Sequence, residues 1–184
     1  MACLARLALL MQLADLNALD EEAAASAFLR CGGSSRWAGA MAAARPFVSE
    51  EAMRAQADAT WRSLDRADWL EAFAAHPTIG AGSAGGAGGA GTADWSQREQ
   101  AGVTGAEDAA LRRLAEGNRD YETRFGYMFI VCATGKSAAE MLALLEGRLR
   151  HDAGGELQVA ADEQRKITQL RLTKLLEQEP DTIS

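Results

Sequence analysis

Apolar residues recur every three or four positions along most of this 184-residue chain, the spacing that places them on one face of an α-helix. Met53, Ala57 and Trp61, four residues apart, are a clear example. Alanine is abundant, aromatic residues make up 6% of the chain, and there are only 3 prolines. Because alanine favours helix while β-branched and aromatic residues favour strand, the sequence predicts an all-α fold.

We predict a single compact helical domain of about eight helices over residues 16–178, preceded by an N-terminal extension over residues 1–15. Residues 125–131 are a continuous apolar run and the one stretch that looks strand-like. Residues 80–91 contain only Gly, Ala and Ser, which predicts a flexible loop inside the domain. The predicted helices cover residues 17–30, 37–44, 49–64, 66–75, 95–102, 106–123, 137–150 and 155–177.

The formal net charge of −7 argues against nucleic acid or an anionic membrane surface as a partner. An anionic substrate would therefore need a cation placed close to it. No apolar segment is long enough to span a bilayer. The 3 cysteines are widely spaced, which indicates buried free thiols in a reducing compartment, and the chain does not end in a peroxisomal signal. We therefore expect a cytoplasmic protein.

His76 is the first candidate for chemistry. It follows Trp69 and Phe73 on the same apolar stripe, and Pro77 forces the chain out of the helix directly afterwards. His76 is thus expected at a helix end, on the core side, as an acid–base group or as a core histidine with satisfied hydrogen bonds. The other histidine, His151, lies at a polar helix end, where interaction with the helix dipole explains it.

Ser96 and Glu99 have the spacing of a capping box, which by itself indicates only the start of a helix. Glu99 is followed by Gln100, and a carboxylate beside an amide is also well suited to holding hydroxyl and urea groups. The pattern alone leaves both interpretations open.

Residues 133–137 read Ala-Thr-Gly-Lys-Ser and resemble part of a phosphate-binding loop. The motif requires a glycine where this chain has Ile130, so we reject a nucleotide site. Gly135 instead predicts a turn, with Ser137 as the N-cap of the following helix. No histidines share a helical spacing that predicts a metal site, and the nucleophile elbow of serine hydrolases is absent from the sequence.

Arg171 lies between Ile167 and Leu175 at spacings of four residues, on an apolar helix face. A guanidinium placed there needs an anionic partner. A carboxylate of the protein and a carboxylate of a substrate both remain open.

Taken in order, these segments resemble the 2-oxo-4-hydroxy-4-carboxy-5-ureidoimidazoline (OHCU) decarboxylase family over residues 16–176. The segments that carry the resemblance are Leu16-Asn17, Arg45-Pro46-Phe47, His76-Pro77-Thr78-Ile79-Gly80, Ser96-x-x-Glu99-Gln100-Ala101-Gly102, Asn118-x-x-Tyr121-x-x-Arg124-Phe125-Gly126, Phe129-Ile130-Val131-Cys132-Ala133, Gly135-Lys136-Ser137 and Glu163-x-x-Lys166-Ile167-x-x-Leu170-Arg171-Leu172.

The resemblance implies an all-α homodimer that uses no cofactor and converts OHCU to (S)-allantoin in urate breakdown. It implies that His76 donates a proton, that Glu99 is catalytic and that Arg171 binds the substrate carboxylate. The further positions implied to contact substrate are Pro77, Ser96, Gln97, Arg98, Gln100, Phe129, Ile130, Val131, Cys132 and Ala133. A helical binding module without activity, and a hydrolase acting on another ureido acid, are the alternatives. The rate at which (S)-allantoin appears from OHCU distinguishes the decarboxylase from both alternatives.

Overall fold

The computed structural model of the protein describes residues 12–76 and 108–177. Within these two ranges the chain forms eight helices and no strand, so the prediction of an all-α fold is confirmed. We number the helices in chain order: α1 Leu13–Ala18, α2 Glu21–Gly32, α3 Ser35–Ala43, α4 Glu50–Arg62, α5 Arg66–Ala74, α6 Asp108–Phe125, α7 Ala138–Arg148 and α8 Ala153–Glu177.

Short polar side chains begin several of these helices, which is why their starts could be read from the sequence. Ser49 accepts a hydrogen bond from the Ala52 amide at the start of α4, and Ser137 is the N-cap of α7 in a capping box with Glu140. Gly135 has a positive φ of 77°, so the predicted turn before α7 is confirmed.

The single helix predicted over residues 17–30 is wrong, because the chain breaks there into α1 and α2. Leu19 adopts an extended conformation with ψ 149°, and the Asp20 carboxylate accepts the Ala23 amide at 2.7 Å. A carboxylate satisfies more hydrogen-bonding groups as an N-cap than inside a helix, and here it starts a new helix.

The longest helix, α8, packs against α2, α4 and α5. Its 25 residues make it about 37 Å long, so one helix contacts three helices of the N-terminal half of the chain. Trp61 of α4 buries its ring and donates its indole N–H to the Ala161 carbonyl of α8 at 3.0 Å. None of the described helices is long and apolar enough to cross a membrane.

Two segments that carry the family resemblance hold α1 against the end of α3. The Asn17 side chain forms two hydrogen bonds of 2.9 Å with the backbone of Phe47, one to each polar group. The Arg45 guanidinium donates to the carbonyls of Leu16 and Leu19, at 2.9 and 2.6 Å. These residues therefore connect backbone segments, which gives them a structural role.

The strand-like interpretation of residues 125–131 is also wrong. Phe125 ends α6, and the following residues form an irregular segment, buried over 129–133, that we call the α6–α7 connection (residues 126–137). Side chains take the place of a neighbouring strand, because they form hydrogen bonds with the backbone polar groups of this connection. The four pairs are Phe129 N–H with Asn118 Oδ1 (3.3 Å), Ile130 C=O with Arg148 Nη1 (2.7 Å), Cys132 N–H with Glu163 Oε2 (2.8 Å) and Cys132 C=O with Lys136 Nζ (2.7 Å).

Candidate functional site

His76 lies just past the end of α5, on the core side, as the sequence predicts. Asp65 caps the start of this helix by accepting the amides of Ala67 and Asp68, and Phe73 buries its side chain one turn before the histidine. The His76 amide donates to the Phe73 carbonyl at 3.2 Å, and the residue is only 8% exposed. The imidazole is thus held in the interior and its ring nitrogens need partners.

A stripe of buried polar residues on α8 faces this histidine. Gln164, Thr168 and Arg171 are spaced by four and three residues, which places them on one face of the helix. Gln164 and Arg171 are fully buried and Thr168 nearly so. The Gln164 Oε1 atom lies 2.6 Å from His76 Nε2. We call His76, Gln164 and Arg171 the His76 cluster.

The electrostatics of this cluster keep the histidine neutral. The pKa of His76 is lowered from 6.5 to about 3, mainly by burial and also by the nearby Arg171 cation, while the hydrogen bond with Gln164 partly opposes both effects. At neutral pH the cluster therefore presents an uncharged imidazole close to a positive charge. That combination favours the binding of an anion beside an acid–base group.

The end of α2 determines where this cluster forms. Gly33 ends the helix with a φ of 75°, and a Cβ atom there would lie 3.1 Å from the backbone of Ala72 in α5. The glycine thus allows α5, which carries His76, to approach closely. The carbonyl of Gly32 accepts a hydrogen bond from Gln164 Nε2 at 3.2 Å.

Sequence reasoning missed Gln164. The available signal was a set of polar residues at helical spacing on a face that also carries Ile167, Leu172 and Leu175. Only Arg171 was recognised from that face, because a buried guanidinium is a stronger signal than a buried amide.

The five residues from Phe129 to Ala133 are all buried, in the α6–α7 connection. Glu163 of α8 binds the Cys132 amide and is the residue directly before Gln164, so α8 contacts both this connection and His76. The remaining predicted site residues, Pro77, Ser96, Gln97, Arg98, Glu99 and Gln100, lie outside the described residues, as does the predicted helix over 95–102.

A second buried polar group, the Glu156 cluster, consists of Tyr121, Arg148, His151 and Glu156. The fully buried Glu156 carboxylate accepts hydrogen bonds from the Tyr121 hydroxyl and from Arg148 Nε at 2.7 Å. Burial and the bond to Glu156 raise the pKa of Tyr121, so its hydroxyl keeps its proton. His151 Nδ1 lies 2.7 Å from the same carboxylate, so a specific carboxylate partner replaces the expected helix-dipole role.

No group of three or more His, Cys, Asp or Glu side chains in residues 12–76 and 108–177 is arranged to hold a metal ion. The described helices instead combine a neutral buried imidazole, a guanidinium and an amide. The protein is therefore all-α, and His76 with its neighbours is its candidate acid–base site.

The chain belongs to the OHCU decarboxylase family, whose sequence profile matches residues 17–173. It is similar to the uric acid degradation bifunctional protein TTL of Arabidopsis thaliana, with 40% identity over 154 residues, or 84% of this chain and 48% of that protein. It is also similar to the 2-oxo-4-hydroxy-4-carboxy-5-ureidoimidazoline decarboxylase of Amia calva, with 30% identity over 76% of this chain and 79% of that protein. The chain thus spans about half of the bifunctional plant protein.

Among solved structures, the fold matches a crystal structure of OHCU decarboxylase in the presence of (S)-allantoin. The TM-score is 0.71 and the sequence identity 37%, and the match covers 86% of this chain and 99% of the other. A crystal structure of (S)-allantoin synthase matches with a TM-score of 0.65 at 21% identity, over 90% of this chain and 54% of the other, and supports the fold alone.

Proposed function

We propose that this protein decarboxylates OHCU to (S)-allantoin in urate degradation. The observation that carries the proposal is the neutral, buried His76 beside Arg171, in a chain that matches the family profile from residue 17 to 173. The relatives' names give the substrate, and the cluster provides suitable groups for it.

The substrate carries its carboxylate on a carbinol carbon next to a ring imine. When the bond to the carboxylate breaks, the imine accepts the electron pair as CO2 leaves, so the reaction needs no cofactor as an electron sink. The imine nitrogen that receives this pair takes up a proton, the hydroxyl becomes a carbonyl as it loses its proton, and the neighbouring ring carbon gains one. The protein must therefore hold an anion and move protons.

Arg171 orients the substrate carboxylate in this proposal, and Glu99 accepts the proton of the hydroxyl. His76 protonates the ring carbon from one side, which gives the S product. An anionic substrate near Arg171 offsets the repulsion between that cation and an imidazolium, so binding raises the pKa of His76 towards the range where it can carry a proton. Pro77, Ser96, Gln97, Arg98, Gln100 and residues 129–133 complete the proposed substrate contacts.

The test generates OHCU in place from urate with urate oxidase and hydroxyisourate hydrolase, and follows (S)-allantoin by circular dichroism. The protein should accelerate its appearance over the spontaneous reaction, and His76→Asn should lower kcat by about 10²–10⁴-fold. His151→Asn is the matched control, since that histidine belongs to the Glu156 cluster, and it should keep the rate within a few-fold. A spontaneous rate with the wild-type protein would exclude the enzyme and favour a binding module. Release of ammonia or urea without CO2 would indicate a hydrolase.

Arg171 is tested in the same assay. Arg171→Met should lower kcat/KM by about 10–100-fold, the value of a hydrogen bond to a charged group, and Arg171→Lys should recover part of the loss. If Arg171→Met is folded and has the wild-type KM and kcat, Arg171 does not bind the carboxylate.

We further propose that the protein is a cytoplasmic homodimer with its helical domain over residues 16–178. The support is the family resemblance and, for the compartment, two buried free cysteines, Cys31 and Cys132, among the described residues. Sedimentation equilibrium tests the dimer, and a mass equal to one chain at micromolar concentration would exclude it.

A further inference from the structure

The hydrogen bonds around Gln164 have directions that chemistry fixes without reference to proton positions. The Gly32 carbonyl can only accept, so the Gln164 atom 3.2 Å away must be the amide nitrogen. The Thr168 hydroxyl donates its single proton to the backbone carbonyl of Gln164 at 3.0 Å. It can therefore only accept from the side-chain nitrogen of Gln164, which lies 3.4 Å away. Both contacts place the nitrogen of the Gln164 side chain away from the histidine.

The oxygen of the Gln164 side chain consequently faces His76 Nε2 at 2.6 Å. A side-chain amide oxygen only accepts hydrogen bonds, so Nε2 must carry the proton. We propose that Gln164 is a positioning residue that holds His76 as the neutral tautomer protonated on Nε2, which leaves the lone pair on Nδ1. Nδ1 is then the ring nitrogen that exchanges a proton with the substrate. The tautomer stands on the hydrogen bonds alone, while its catalytic use depends on the proposed decarboxylation.

The end of α2 provides the backbone carbonyl that holds the Gln164 side chain in place. Gly32 is the last residue of α2, and Gly33 turns the chain away, so the Gly32 carbonyl is available to a side chain. A Cβ atom on Gly32 would lie 2.3 Å from the ring of Trp37, so the backbone is packed tightly at this position. The path from Gly32 through Gln164 to His76 thus connects the end of α2, the middle of α8 and the end of α5.

An amide suits this position better than a carboxylate. A glutamate would form an ion pair with the imidazolium and so keep the ring protonated. Glutamine orients the ring and adds no charge. In the proposed reaction Nδ1 takes one proton from water and passes it to the ring carbon, and Glu99 releases the hydroxyl proton to water. Nε2 keeps its own proton and its hydrogen bond to Gln164 throughout. The imidazole therefore returns to the same neutral tautomer after each turnover.

The tautomer is measured directly by 15N-histidine NMR on the free protein at neutral pH. The chain has 2 histidines, so His151→Gln assigns both sets of ring signals. We expect His76 to show one protonated nitrogen, Nε2, and one unprotonated nitrogen, Nδ1. A proton on Nδ1, or a charged ring, overturns the proposal whether or not the protein is active.

Two substitutions then test the role of Gln164. Gln164→Leu should give a mixture of tautomers and lower kcat by about 10–100-fold with little change in KM. Gln164→Glu should shift the acidic limb of the pH–rate profile to higher pH, because a carboxylate raises the pKa of His76. Gln169→Leu is the control, since Gln169 is a hydrogen-bonded glutamine of the same helix that contacts Arg54 and Asp58, and its kcat should be unchanged.

A Gln164→Leu protein that is folded and keeps the wild-type tautomer and kcat contradicts the proposal. If the Gln164 variants do not fold, the spectrum of the wild-type protein still decides the tautomer. A wild-type protein with the expected tautomer but no decarboxylation would sink the proposed function and leave the assignment of Nε2 intact.

Discussion

The His76 and Glu156 clusters each contain one histidine and one arginine, but the histidine contacts a neutral amide in the first and a carboxylate in the second. In the Glu156 cluster a buried carboxylate accepts hydrogen bonds from the Tyr121 hydroxyl and the Arg148 guanidinium, and it lies 2.7 Å from His151 Nδ1. In the His76 cluster the imidazole faces a neutral amide, and the Arg171 cation disfavours its protonation.

This difference separates a structural network from a candidate site. Opposite charges in contact in the interior hold elements together, and the Glu156 cluster indeed anchors the α6–α7 connection through the Ile130 carbonyl. In the His76 cluster a hydrogen bond to a neutral amide orients the imidazole, and the other ring nitrogen can gain or lose a proton without breaking that contact. We therefore expect substitutions to affect stability most in the Glu156 cluster and catalysis most in the His76 cluster.

The largest expected effect on stability is that of Arg148→Met. It leaves the fully buried Glu156 without its guanidinium partner and should lower the free energy of unfolding by about 3–5 kcal/mol in urea denaturation. Arg165→Met removes a partly exposed partner of Asp58 and should cost less than about 1 kcal/mol. Equal losses for the two variants would remove the distinction between this cluster and an ordinary surface ion pair.

The pH dependence of stability should identify His76. The pKa of His76 is about 3 in the folded protein and 6.5 as the reference, so the unfolded chain binds a proton below pH 6.5 that the folded protein does not bind. The free energy of unfolding is therefore unaffected by this group above pH 6.5, and it falls as the pH decreases from 6.5 towards about 3. Between about pH 7 and about pH 4.5 the wild-type protein should lose about 2–3 kcal/mol more than His76→Gln. Parallel pH curves for the two proteins would show that His76 is not held neutral.

A smaller effect is expected where α2 meets α5. Gly33→Ala should lower the free energy of unfolding by about 2 kcal/mol, because it combines an unfavourable positive φ with a contact of 3.1 Å to Ala72. Gly126→Ala has a similar φ of 82° with open space around the added Cβ among the described residues, and should cost only about 1 kcal/mol. The same loss at both positions would mean that Gly33 contributes conformation alone and does not set the approach of α5 to the His76 cluster.

The smallest effect is expected for His151→Asn. Its side chain is 43% exposed, so its contact with Glu156 is screened by water and should contribute less than about 1 kcal/mol to the free energy of unfolding. A loss as large as that of Arg148→Met would show that the histidine stabilises the buried carboxylate as much as the guanidinium does.

Local signals explain what the sequence predicted correctly. The N-caps of helices α4, α5 and α7 are Ser49, Asp65 and Ser137, whose side chains accept amides two or three residues further along the chain. The break before α2 has an equally local cause in Asp20, but its signal was overlooked inside an amphipathic stretch.

Distant partners explain what the sequence did not show. The α6–α7 connection looks like a strand because it is apolar, and only the positions of Asn118, Arg148 and Glu163 in the fold reveal that side chains replace a sheet. Gln164 bonds to His76 88 residues away and to Gly32 132 residues away, and no short motif encodes such pairs. The roles of Glu99 and its neighbours stay predictions, because these residues lie outside the described ranges.

The hydrogen bonds between side chains and the α6–α7 connection have a consequence for measuring local opening of the protein. The amides of Phe129 and Cys132 donate to side chains of α6 and α8, so neither amide belongs to the hydrogen-bond ladder of a helix. Their exchange with deuterium should therefore report the undocking of whole helices, while the amides inside α6 and α8 report fraying or global unfolding. The exchange rates of these two amides, measured residue by residue, would thus report how often the interior opens.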